Sequence, residues 1–173
     1  MSAIISQCGK FRYRLDREVQ MDGLTFAYFG INPSTADATL DDATVRKWIG
    51  FTKVNGGRRF IVGNVSAYRA TDVKELADVL ITPDQWRANL VQLSRIIEDA
   101  DVLVPCWGNR SKAPKHMRND FDTVLAMLQT SGKPVKHFGL TQSGDPKHPL
   151  MLGYDTKLIE WASRAPASEG EQK

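Results

Sequence analysis

Apolar residues along the chain follow two spacings, one typical of strands and one typical of helices. Residues 10–18 (KFRYRLDRE) alternate between apolar and polar side chains, and residues 24–31 (LTFAYFGI) form an apolar run rich in aromatic rings. Alternation is typical of a half-buried strand, and a short unbroken apolar run is typical of a strand buried on both faces. Because MDG makes a turn between them, residues 10–31 are predicted to form a hairpin or two adjacent strands.

The rest of the chain alternates between short apolar runs and stretches with helical spacing. Further strands are predicted at RRFIVGNV, DVLVPCW and KPVKHFGL. Helices are predicted after Asp41 and Asp42, over residues 72–80, from Pro83, over residues 114–129 and over DTKLIEWAS. The two aspartates stand where helix caps belong, and proline is favoured at the first position of a helix.

Buried strands that alternate with helices are typical of an α/β fold. We therefore predict a three-layer α/β/α sandwich with a central, mainly parallel sheet. Residues 1–165 are expected to form a single α/β domain. Residues 166–173 (PASEGEQK) are rich in small and polar side chains and are expected to form a flexible C-terminal tail.

Composition narrows the class of protein without identifying it. The 173 residues include 23 Lys and Arg against 20 Asp and Glu, and two cysteines, Cys8 and Cys106. Two cysteines alone cannot form a zinc site or hold an iron–sulfur cluster, and no apolar run approaches the ~20 residues of a membrane span. We expect a cytoplasmic protein without a cofactor or a membrane partner, whose mildly basic charge permits contact with a polyanion.

Candidate chemistry concentrates in four segments that follow the predicted strands. They are residues 30–34 (GINPS), Asn64 with Arg69, residues 107–109 (WGN) and residues 148–150 (HPL). Ligands of parallel α/β sheets bind beyond the carboxyl ends of the strands. An asparagine amide offers a donor and an acceptor side by side, which suits the edge of a nucleobase. Taken singly, each segment also fits a turn, a loop cap, a core tryptophan or a surface histidine.

The order of these segments resembles two known groups of proteins. GINPSTAD, DDATVRKW, NVSAYRATD, WGN and HPL, between residues 24 and 152, are similar to the bacterial and phage family catalogued as domain of unknown function 1643. The same segments resemble, in the same order, the motifs of the uracil-DNA glycosylase superfamily, whose mismatch-specific branch has GINPG where this chain has GINPS.

The second resemblance implies a role for each segment. Asn32 would position water, Asn64 would read the base edge, and His148 would stabilise the departing base. Leu150 and Met151 would take the place of the minor-groove wedge. The remaining residues implied in substrate binding are Gly30, Ile31, Pro33, Ser34, Arg69, Trp107, Gly108 and Pro149, with Tyr68 and Trp48 as candidates for stacking on the base. The basic residues Arg110, Lys112, Lys115 and Arg118 would meet nucleic-acid phosphates.

These expectations define a first hypothesis and two alternatives. The first is a glycosylase that binds nucleic acid, DNA rather than RNA, or a nucleotide, and hydrolyses the N-glycosidic bond of a flipped uracil-like or modified base. The second is a metal-dependent nuclease or phosphohydrolase in which Asp37, Asp41, Asp42 and His148 hold a divalent cation. The third is a binding module that keeps the fold without catalysis, favoured because residues 148–152 (HPLML) lack the serine and second proline of the superfamily's HPSPL loop. The sequence predicts no oligomeric state.

Overall fold

The structure is a computed structural model that describes residues 1–34 and 39–162. Two predictions therefore lie outside the described residues: the role of Asp37 in a metal site, and the flexible tail at residues 166–173. Among the described residues, no helix combines the length and the apolar character that a membrane span requires.

A mixed five-stranded sheet forms the centre of an α/β fold. Its strands are β1 (Ser2–Ile5), β2 (Arg12–Glu18), β3 (Leu24–Gly30), β4 (Gly57–Asn64) and β5 (Val102–Pro105). They lie in the order β1-β2-β4-β3-β5, in which β3 runs parallel to β4 and β5, while β2 pairs antiparallel with both β1 and β4. The parallel half continues past β5, where Leu103 bridges to Val135.

The prediction that residues 10–31 form a hairpin or adjacent strands is wrong. Strand β4 lies between β2 and β3 and pairs with both of them. The burial patterns explain this arrangement, because six of the seven residues of β3 are buried, whereas β2 carries partly exposed residues between its buried ones. A strand buried on both faces belongs in the sheet interior, and a half-buried strand fits near its edge. Strand β1, at the very edge, is absent from the sequence-based prediction.

Helices cover both faces of the sheet. Helix α1 (Ala43–Val54) packs on one face, and helices α2 (Pro83–Asp99) and α3 (Arg118–Thr130) pack on the other. Buried residues form one hydrophobic cluster on each face of the sheet. In β3, Phe26 and Tyr28 pack into the cluster under α1, and Ala27 and Phe29 pack into the cluster under α2 and α3. This two-sided burial is what a strand apolar at nearly every position requires.

The helix starts follow the predicted capping signals. The Asp42 carboxylate accepts a hydrogen bond from Val45 N at 2.8 Å, and Thr82 and Gln85 form a capping box around Pro83. Residues 72–80 contain a 3₁₀ helix, Val73–Asp78, and another short 3₁₀ helix, Lys115–Met117, precedes α3. Capping side chains satisfy the free N–H groups of a helix start, which is why these starts were predictable.

The helix predicted over DTKLIEWAS is wrong. Its described part contains β7 (Ile159–Glu160), which pairs antiparallel with β6 (Lys136–His137). Trp161 donates a backbone hydrogen bond to Val135 O at 2.7 Å and packs edge-on against His137. Pairing with a distant strand therefore overrides the helical spacing of this segment.

Candidate functional site

The carboxyl ends of the parallel strands meet at one edge of the sheet, as the sequence predicts. Gly30 at the end of β3 is in register with Asn64 at the end of β4, and Phe29 is in register with Pro105 of β5. A cleft of about 540 Å³ opens there. It brings together seven predicted site residues: Gly30, Ile31, Asn32, Ser34, Asn64, Trp107 and His148.

Asn64 lines the cleft with a side chain that is only 3% exposed. Its Nδ2 donor is buried and has no hydrogen-bond partner among residues 1–34 and 39–162. Leaving a buried donor unpaired costs about 1–3 kcal/mol, so each such donor in a native protein requires an explanation, of which a bound partner is one. Gly30 makes room for this amide, because a Cβ atom there would lie 2.9 Å from Asn64 Oδ1.

Asn32 is held in a single orientation. Its Nδ2 donates to Ala70 O at 2.8 Å and to Pro33 O at 3.0 Å. Pro33 O also accepts from Ala70 N at 3.0 Å, which ties the GINPS loop to the segment after β4. With both amide protons engaged, Asn32 Oδ1 is the group left to accept a hydrogen bond, and a water molecule is a suitable donor.

His148 enters the cleft as a neutral imidazole. Burial and the nearby charge of Lys112 lower the pKa of His148, and the Asp42 carboxylate only partly opposes them. His148 Nδ1 accepts a hydrogen bond from Leu150 N at 3.3 Å, so Nε2 carries the proton of the neutral ring. His148 therefore presents an N–H donor without a formal charge.

The loop after β5 packs directly against His148. A Cβ atom at Gly108 would lie 3.2 Å from His148 Cβ, and the φ of Gly108 is +75°, in the left-handed region. Pro149 is buried as the first residue of the 3₁₀ helix Pro149–Met151, and Leu150 and Met151 are exposed on it. The WGN and HPL segments thus form one wall of the site.

The acidic residues near the cleft have separate partners. Asp41 accepts a hydrogen bond from Arg17 Nε at 2.7 Å. Asp42 caps α1 and accepts a hydrogen bond from Ser34 Oγ. No group of three or more His, Cys, Asp or Glu side chains suited to a metal occurs among residues 1–34 and 39–162. The structure therefore does not bring Asp41 into a shared site with Asp42 and His148.

Several predicted residues lie outside the cleft or serve other contacts. Arg69 Nη1 donates to Gly9 O at 3.4 Å, at the turn before β2. Arg110 pairs with Asp122 at 2.6 Å and with Asp145 at 3.1 Å. Lys112, Lys115 and Arg118 are exposed. Three basic side chains of the predicted set are thus presented to solvent, and Arg110 mainly joins loops to α3.

The two aromatic residues predicted to stack on a base, Trp48 and Tyr68, lie in different places relative to the cleft. Trp48 lines the cleft and stacks on Tyr28 with a centroid distance of 5.6 Å. Tyr68 packs edge-on against Phe11 and does not line the cleft.

The main cleft residue that sequence reasoning missed is Arg12, which is 3% exposed and lines the cleft. In the sequence it stands among other arginines near the start of the chain, a pattern typical of a solvated surface. The sequence carries no signal for its burial, because the alternation of residues 10–18 places Arg12 among the polar positions of the predicted strand.

Comparison with known proteins identifies a family without an assigned activity. The family model described as "Protein of unknown function (DUF1643)" matches residues 12–150, which include the four segments that meet at the cleft. No curated protein and no solved structure matches the chain. The family match spans most of the sequence, and the chain therefore belongs to the DUF1643 family of proteins of unknown function.

Proposed function

We propose that the protein binds an unstacked nucleobase of a nucleic acid in the cleft and hydrolyses its N-glycosidic bond. The observation that carries the proposal is the buried Asn64 Nδ2, a donor without a partner in a cleft of nucleoside size. A carbonyl oxygen or ring nitrogen of a base would satisfy that donor, and Asn64 Oδ1 beside it can accept from the neighbouring base N–H. The resemblance to the uracil-DNA glycosylase superfamily assigns the same reading role to Asn64.

The proposed reaction uses three side chains of the cleft. The bond between C1′ and the base nitrogen breaks, and its electron pair leaves with the base. The N–H of His148 Nε2 donates a hydrogen bond to the departing base and stabilises its negative charge. Asn32 Oδ1 orients a water molecule that attacks C1′, and the water's surplus proton passes through solvent to the base. The products are the free base and an abasic sugar.

The reaction is expected to be slow on stable glycosidic bonds. Asn32 is neutral and cannot take a proton from water at neutral pH, so bond breaking depends on stabilising the leaving base. Bases that carry negative charge well are therefore the preferred substrates.

Exposed basic and apolar side chains support nucleic acid as the carrier of the base. Lys112, Lys115 and Arg118 supply positive charge for phosphates, and Leu150 and Met151 are 39% and 90% exposed. By the glycosylase resemblance we assign these two apolar side chains to the wedge that holds the strand open. We propose DNA as the substrate in preference to RNA.

The test is base release from labelled oligonucleotides that carry uracil, hydroxymethyluracil or other modified bases. Purified protein is incubated with each one at low salt in EDTA, and abasic sites are scored by alkaline cleavage. We expect cleavage with one or more bases, its loss in Asn32→Ala, and wild-type rates in Asn119→Ala, an exposed control on α3. Retention of an oligonucleotide without base release would instead identify a binding module, and cleavage that occurs only when Mg²⁺ replaces the EDTA would favour the nuclease alternative.

A further inference from the structure

A second cavity, of about 570 Å³, is lined by residues 65–67, which directly follow strand β4. Residues of the 3₁₀ helix Val73–Asp78 and of the start of α2 also line it. Its walls are mainly apolar, with contributions from Phe11, Val65, Leu76, Leu80, Trp86 and Met117. Among the described residues, none that lines this cavity also lines the cleft.

One buried acceptor in the wall of this cavity has no hydrogen-bond partner. Asn89 is 2% exposed, and its Nδ2 donates to Asn64 O at 3.1 Å and to Val65 O at 3.0 Å. These two carbonyl groups require a donor, so the amide cannot be turned over without losing both bonds. Asn89 Oδ1 is therefore a fixed acceptor, and it is buried and unpaired.

The lining contains few charges. His116 and Asp120 are its ionisable members among the described residues, and both belong to the segment around α3. Burial raises the pKa of Asp120, while the neighbouring His116 has the opposite effect. Apart from these two residues the wall is mainly apolar, and its buried acceptor Asn89 Oδ1 does not compensate the desolvation of a charged ligand, so the cavity favours an uncharged one.

We propose that this cavity binds an uncharged ring compound that donates one hydrogen bond to Asn89 Oδ1. Its volume falls within the range of about 300–1,000 Å³ that is usual for small-molecule sites, which are typically apolar with a few fixed polar groups. The bound compound would cover the exposed apolar side chains of Leu80 and Ile81 and would satisfy the Asn89 carbonyl oxygen.

The test uses two uncharged fluorescent probes of nearly equal shape. N-phenyl-1-naphthylamine has one N–H donor, and 1-benzylnaphthalene, in which CH₂ replaces that N–H, has none. We expect the amine to bind the full-length protein saturably at one site, and about fivefold more tightly than the hydrocarbon, as one net hydrogen bond predicts. Absence of saturable binding, or equal affinity for the two probes, would overturn the proposal.

Two matched variants locate the site. Ala77 lines the cavity, whereas Asp78 is its exposed neighbour outside the lining. Ala77→Phe should fill the cavity and weaken amine binding about tenfold or more, and Asp78→Phe should change it less than about twofold. Equal effects of the two substitutions on amine binding would overturn the assignment of the site to this cavity. Loss of amine binding when the protein dimerises would also overturn it. Since the readout is probe fluorescence, the result is independent of base release.

Discussion

The Asn64 side chain occupies the space directly beside Gly30, where a Cβ atom would lie 2.9 Å from Asn64 Oδ1. The two residues are also in register at the ends of β4 and β3. Glycine at position 30 therefore determines where the amide of residue 64 can lie. This close approach links the GINPS motif to the base-reading residue of the proposed site.

Replacing Gly30 should displace the amide that reads the base. We expect Gly30→Ala to slow base release about tenfold, which corresponds to ~1.4 kcal/mol of transition-state stabilisation, because Asn64 must move away from the new methyl group. In an Asn64→Ala background the same change should cost almost nothing more, since the clash is gone. Rates measured for the double-mutant cycle check this, and additive losses would mean that Gly30 acts independently of Asn64.

Removing the unpaired Asn64 donor should stabilise the folded protein and abolish the proposed base release. We expect Asn64→Leu to raise the free energy of unfolding by about 1 kcal/mol, because a buried donor without a partner is replaced by an apolar group of similar shape. Asn89→Leu is the matched comparison. It should lower the free energy of unfolding by about 2 kcal/mol, since Asn89 Nδ2 makes two backbone hydrogen bonds. Urea unfolding of both variants measures these opposite signs, and destabilisation by both would argue that Asn64 is an ordinary structural residue.

The low pKa of His148 should make its contribution to stability depend on pH. Burial disfavours the charged ring, so the folded protein binds fewer protons at this residue than the unfolded chain. Stability from this source is therefore fully present above the unfolded pKa of about 6.5 and is lost as the pH falls through the lower folded pKa. The free energy of unfolding of the wild type should therefore fall relative to that of His148→Gln as the pH is lowered from 7.5 to 5.

Lys112 provides a second check on His148. Its positive charge lowers the pKa of the imidazole, so Lys112→Gln should move the His148 titration to higher pH. An NMR titration of the ring protons measures the shift in both proteins. An unchanged titration would place Lys112 too far from His148 to contribute to this wall of the site.

The basic residues should divide into two groups by their effect on binding and stability. Lys112→Ala, Lys115→Ala and Arg118→Ala should each reduce the salt dependence of oligonucleotide binding, by about 0.7–0.9 in the slope of log K against log salt for each phosphate that is no longer neutralised. Arg110→Ala should instead lower stability by about 1 kcal/mol, because Arg110 pairs with Asp122 and with the buried Asp145. Binding measured at several salt concentrations, with parallel urea melts, separates the two groups. Salt slopes equal to that of the wild type in all four variants would show that phosphates do not contact this region.

The two cysteines should differ sharply in reactivity. Cys8 is exposed, and its hydrogen bond with Ser6 lowers the pKa of the Cys8 thiol. Burial raises the pKa of Cys106 to about 12. Iodoacetamide should therefore modify Cys8 alone in the folded protein and both thiols in urea, because the thiolate is the reactive form. Mass spectrometry of the labelled peptides checks this, and labelling of Cys106 under native conditions would contradict its burial beside α1.

The α/β class and the meeting of the four motifs at one sheet edge could be predicted because both depend on local signals, whereas the sheet is mixed rather than mainly parallel. Strand β3 is apolar at nearly every position, and the Asp42 cap begins α1, so the strand–helix–strand order is visible in the sequence. The carboxyl ends of such strands necessarily share one sheet edge.

The features that could not be predicted depend on partners distant in sequence. Strand β2 pairs with β4 rather than with β3, and Ile159 pairs with His137. Arg110 forms ion pairs with Asp122 and Asp145 instead of remaining available to phosphates, and only the fold brings these aspartates beside it. Arg12 likewise enters the cleft through its place in β2. Spacing along the chain carries no information about such long-range pairs.

The most direct test of the central claim is the environment of the Asn64 side-chain amide during binding. In ¹⁵N-labelled protein, the amide signal is assigned by its absence from the spectrum of Asn64→Asp, and oligonucleotides with either a modified base or an abasic analogue are then added. We predict that the Asn64 amide protons shift downfield with a base-containing oligonucleotide and remain unchanged with the abasic one, because only the base supplies an acceptor. An Asn64 signal that stays unchanged while the base-containing oligonucleotide binds would contradict the account.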